Sequence, residues 1–151
     1  MNEEQNLQEQ TNHALNIASV MPSCLRMSLK SKWFEMTKLG IKTEDYREIT
    51  PYWCSRLLMS FTGEKMNQNW WKYKNETLQG TPEEIKENIE LFTTFKRFKT
   101  NKMTLGYPSA NDTNRILMLE HRGIKIDYGN IHWGAEYDKL YFVIMHGAIL
   151  A

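Results

Sequence analysis

The sequence predicts a single α+β domain: a small mixed β-barrel with flanking helices. Three observations lead there. Apolar–polar alternation at Leu25, Met27 and Leu29 marks an early half-buried strand, two short helical patterns follow before residue 60, and the last third is β-rich. The strands are short and do not alternate with crossover helices, which argues against a parallel βαβ sheet.

Each element has a local cause. Residues 1–22 are rich in Gln, Asn and Glu and lack a sustained apolar stripe, so they read as a polar tail with a frayed helix around 13–20. The domain is expected over 23–151. Ser31 is placed to cap a helix over 31–39 whose apolar positions Trp33, Phe34, Met36 and Leu39 share a face. Gly40 ends it, and a strand runs from the following bend to Arg47. Pro51 opens a short helix over 51–59. The polar stretch beyond, with Trp70 and Trp71, leads to Thr81-Pro82-Glu83-Glu84, a strong helix start. Residues 60–95 read as a helical insertion that decorates the core. Strands are expected over 103–107, over 115–127 with both faces buried along 115–120 and a bulge near Gly123, and over 140–145 extended by Ile149 and Leu150.

Composition narrows the function classes. The chain has 151 residues, 41% hydrophobic, enough for one domain with a real core. The formal net charge is +1, so nucleic-acid binding would have to come from a local basic patch. Cys24 and Cys54 form neither a disulfide framework nor a metal-ligand spacing. His121 and His132 likewise lack ligand spacing, so no metal and no cofactor is expected. Neither a signal peptide nor a membrane span is legible, and the reading is a cytoplasmic protein without a membrane partner. There is no phosphate-binding glycine loop and no serine elbow.

The chain is organised around Gly40-Ile41-Lys42-Thr43-Glu44-Asp45-Tyr46-Arg47. Asp45 and Arg47 lie two apart in a strand and so share a face, and Lys42 at the bend leans over it. Taken alone, this is a solvated turn with loosely paired charges.

The pattern Gly40-x-Lys42-x-x-Asp45-x-Arg47, set between a first helix and a strand, resembles the ASCH domain family, small β-barrels similar to RNA-binding PUA domains. Tyr46-Arg47-Glu48-Ile49-x-Pro51-Tyr52-Trp53, the strand 116–120, and Trp133-Gly134-Ala135-Glu136 followed by Tyr141-Phe142-Val143-Ile144 extend the likeness over about residues 24–150. The family pattern has glutamate where this chain has Asp45, and the stretch with Trp70 and Trp71 has no counterpart in the family core.

The resemblance implies a PUA-like barrel and two chemistries at one cleft. In the first, RNA or a modified nucleoside or nucleotide is bound by Gly40, Lys42, Tyr46, Arg47 and Trp133, with cations on phosphates and rings on bases. In the second, an amidohydrolase removes the acetyl group of N4-acetylcytidine. Lys42 would then serve as base or nucleophile, Asp45 as orienting group, Arg47 as the stabiliser of developing oxyanion charge, and Glu120 or Glu136 as a further acid. A third class, a protein-interaction adaptor, would rest on the tail and the insertion. The interleaved rings and cations of 95–99 and 71–74 read either as a stacking surface or as ordinary amphipathic packing.

Overall fold

A computed structural model describes residues 24–150. The polar tail lies outside the described residues. Among those described, four α-helices and seven strands form a mixed α+β fold whose main sheet has five strands and curls partway into a barrel. The strands are β1 (Cys24–Leu29), β2 (Glu44–Arg47), β3 (Leu58–Ser60), β4 (Thr93–Phe95), β5 (Thr100–Leu105), β6 (Ile116–Tyr128) and β7 (Leu140–Ile149). The helices are α1 (Ser31–Lys38), α2 (Pro51–Leu57), α3 (Gln68–Tyr73) and α4 (Pro82–Phe92).

The main sheet has the order β1-β5-β6-β7-β2, with β1 parallel to β5 and the other pairs antiparallel. Both edge strands flank the first helix in the sequence, so the sheet's open edges belong to one short stretch of chain. The inner face carries Leu25, Met27, Met103, Leu117, Leu119, Ile124, Ile126, Phe142 and Ile144, all in the main core. Strand β6 occupies the middle of the sheet but alternates rather than burying both faces: Leu117 and Leu119 are buried, and Ile116 and Met118 are only partly covered. Its register shifts on both sides of His121, just before Gly123, where the expected bulge falls.

Two expectations for α1 change. The N-cap is Lys30, not Ser31, because the chain leaves β1 at Leu29 in an extended conformation and turns at once, Phe34 N–H donating to the Lys30 carbonyl at 3.0 Å. Leu39 is 71% exposed, and Thr37 takes the buried position beside Phe34, its hydroxyl donating to the Trp33 carbonyl at 2.7 Å.

The stretch read as a decoration contributes to the core. Met66, Trp71 and Ile89 are buried in the main cluster, and β4 pairs antiparallel with β3. The caps there are as expected: the Thr81 hydroxyl accepts from Glu84 N–H at 3.2 Å, with Pro82 in the first turn. Phe98 is buried and Phe95 packs against the core, so the 95–99 segment is amphipathic packing with its rings inward. The same holds for Trp71, which is 1% exposed.

Candidate functional site

The site begins with a helix end. Gly40 adopts φ +76°, open to glycine at no steric cost, and its N–H donates to the Thr37 carbonyl at 3.1 Å. The Ile41 and Lys42 N–H groups both donate to the Met36 carbonyl, at 3.0 and 3.1 Å. This is a Schellman cap, and it reverses the chain so that the Lys42 side chain enters the protein rather than the solvent.

Lys42 is 2% exposed. Its Nζ donates to the Glu44 carbonyl and, at 3.2 Å, to Asp45 Oδ1. The ammonium also lies 5.9 Å from the centre of the Trp33 ring and 5.7 Å from that of Tyr46. Burial pulls its pKa below the ordinary lysine value, against the opposing pull of Asp45.

Asp45 is held on both oxygens. Arg47 Nε donates to Oδ2 at 2.7 Å while Lys42 holds Oδ1. One carboxylate is thus shared by two cations, and the cluster keeps a surplus positive charge. The register explains the shared face: Asp45 pairs with Ile144 and Arg47 with Phe142, both inward-facing residues of β7.

Arg47 reaches across the gap in the barrel. Its Nη2 donates to the Ser28 carbonyl at 2.9 Å, tying edge strand β2 to edge strand β1. Arg56 does the same from α2, Nη2 donating to the Arg26 carbonyl at 2.8 Å. Carbonyls two residues apart on a strand edge that has no neighbouring strand among the described residues are therefore both met by guanidinium groups.

A cleft of about 230 Å³ opens at this seam, between Trp33 of α1, Asp45, Tyr46 and Arg47 of β2, Ser28 of β1, Lys30 just after it, and the loop bearing Trp133 and Gly134. The loop is anchored by Tyr46, whose hydroxyl accepts from Asn130 N–H at 2.9 Å and donates to Glu44 Oε2 at 2.7 Å. Gly134 has φ +101°, and a Cβ there would come within 2.9 Å of the Trp33 ring, so the loop can lie against that tryptophan only with glycine at this position.

Lys42, Asp45, Tyr46, Arg47 and Trp133 are brought together. Gly40 and Glu120 are not. Gly40 shapes the turn and does not line the cleft. Glu120 lies on β6, pairs with Arg122 at 3.6 Å and is half-exposed, its other contact being the Ala148 N–H. Glu136 is exposed and pairs with Lys139 at 3.7 Å. Among the described residues no group of three or more His, Cys, Asp or Glu is arranged to hold a metal ion. No helix of the described residues is long and apolar enough to cross a membrane.

Sequence reasoning missed a second polar array on the same inner face. Asn101 of β5, fully buried, donates through Nδ2 to His146 Nδ1 at 2.7 Å and accepts from His121 Nδ1 through Oδ1 at 2.7 Å. This pattern assigns His146 its proton on Nε2, which is buried and has no partner among the described residues. Burial drives the pKa of His146 down to about 4. A polar Asn101 amid alternating strand residues was the available signal, and the spacing of its two histidine partners, 20 and 45 residues away, hid it.

Comparison with protein-family models, with curated proteins and with solved structures returned no match.

Proposed function

We propose that the protein is an ASCH-type, PUA-like domain that recognises RNA or a modified nucleotide in the cleft at Arg47. One observation carries this reading: Asp45 is clamped between Lys42 and Arg47, and of these two cations Arg47 lines the cleft, beside Asp45, while Lys42 does not. Lys42 serves as an internal strut, and Arg47, held by Asp45 and the Ser28 carbonyl, is a preorganised cation. The surplus positive charge suits a phosphate, and the rings of Trp33, Tyr46 and Trp133 suit the face of a base.

The test is a titration of the protein with cytidine 5′-monophosphate, read by tryptophan fluorescence. Saturable quenching is expected, with affinity falling about 10-fold or more in Arg47→Lys, which keeps the charge but loses the planar fork. No saturation at millimolar ligand, or equal affinity in the variant, would sink the reading.

A second reading has one observation in its favour. Lys42 is buried, has a lowered pKa and touches Asp45, as an amidohydrolase base or nucleophile requires. Against it, Nζ does not line the cleft, and neither Glu120 nor Glu136 contacts it. Incubation with N4-acetylcytidine decides between the two: cytidine release that is lost in Lys42→Ala would replace the binding reading with catalysis.

A further inference from the structure

A larger groove, about 640 Å³, adjoins the cleft, and Ser28 and Arg47 line both. Its floor is the outer face of β1 and β5, where Arg26 and Lys102 are register partners. One wall is α2, with Tyr52, Trp53 and Arg56. The other is the loop after β5, where Tyr107 is 95% exposed.

Among the described residues, four cations and no carboxylate line this groove, in a chain whose net charge is only +1. Arg26 and Lys102 stand side by side on the sheet, a like-charge pairing that costs stability unless an anion offsets it. The rings are already set against cations: Arg47 lies 4.9 Å and Arg56 5.0 Å from the centre of Trp53, and Arg56 lies 5.7 Å from that of Tyr52. A charged track with flat rings along it fits a phosphodiester strand with unstacked bases.

We propose that the ligand is a single-stranded oligonucleotide: one nucleotide occupies the cleft at Arg47 and the strand continues over Arg26, Lys102 and Tyr52. This rests on the nucleotide reading of the cleft and extends it from a mononucleotide to a chain. Arg47 is the shared residue, so strand and cleft ligand meet at one guanidinium.

The test compares cytidine 5′-monophosphate with tri- and hexanucleotides of oligocytidylate, in ribo and deoxyribo form, by fluorescence titration over a salt series. The hexanucleotide of at least one sugar is expected to bind at least about 10-fold tighter than the mononucleotide. Arg26→Ala with Lys102→Ala should remove that gain, flatten the salt slope by about 1.4 and leave mononucleotide affinity unchanged. Tyr52→Ala should weaken the hexanucleotide without changing the slope. Equal affinity for mono- and hexanucleotide would overturn the strand proposal and leave the cleft reading standing. Displacement of the hexanucleotide by polyglutamate at equal charge concentration would overturn it too, by making the groove a general anion surface. Absence of binding by any of the three ligands would overturn both.

Discussion

Two buried polar clusters sit on the inner face of one sheet, and they solve the problem of burial in opposite ways. Lys42, Asp45 and Arg47 form paired ion contacts that offset one another, with the last member reaching the surface. His121, Asn101 and His146 are held neutral and closed by hydrogen bonds. Charge can be buried in the first only because its ions meet at hydrogen-bond distance. Burial in the second works because burial itself lowers both imidazole pKa values and keeps the rings uncharged. The first is built to present a cation to a cleft, and the second to hold three strands in register.

The comparison breaks most visibly at Asp45. Asp45→Ala leaves two cations facing each other, and a loss of about 3–5 kcal/mol in urea unfolding is expected, whereas Lys42→Met, which leaves the Asp45–Arg47 pair intact, should cost less. If Lys42→Met were the more damaging, the role of Asp45 as the shared counter-ion of both cations would fail.

Acid distinguishes the neutral cluster. Between pH 6.5 and about 4 an unfolded histidine binds a proton that folded His146 refuses. The unfolded state then holds more protons, so stability falls on acidification through this window, by at most about 3 kcal/mol. The ionisable groups acting on that ring are Asp45, which favours its protonation, and Lys42, His121 and Arg47, which oppose it. His146→Gln should flatten the pH–stability curve between 4 and 6.5, and an unchanged slope would show that the acid sensitivity lies elsewhere.

Asn101→Leu strips both imidazoles of their partner, with an expected loss of about 1–3 kcal/mol by chemical denaturation and nucleotide affinity retained. A concurrent loss of affinity would show that the two clusters are coupled and act as one. The smallest effect belongs to Glu120→Gln. Its pairing with Arg122 is half-exposed, so stability should move by less than about 0.5 kcal/mol. A larger change in nucleotide binding would return Glu120 to the site.

Local chemistry was legible wherever a few consecutive residues decide the outcome. Thr81-Pro82-Glu83-Glu84 starts a helix, Pro51 opens α2, and the alternation of Leu25, Met27 and Leu29 buries those three side chains. Trp71 was less legible: its polar surroundings suggest a surface, and only the packing of α3 on α2, which brings Trp71 into the main core, shows why it is covered. The spacing of the central octapeptide was enough to bring Lys42, Asp45 and Arg47 to one face.

What the sequence determined by itself, then, is most of the elements, though not α3, β3 or β4, and the one cluster whose members lie within six residues. The tertiary structure alone decided which of the two cations faces the cleft, that Arg47 closes on Ser28 19 residues away, and that Trp33 and Trp133 both line it. The same holds for the pairing of Asn101 with His121 and His146. Periodicity records how a side chain sits on its own element. The meeting of distant elements depends on strand order and on the curl of the sheet, which no short stretch of residues encodes.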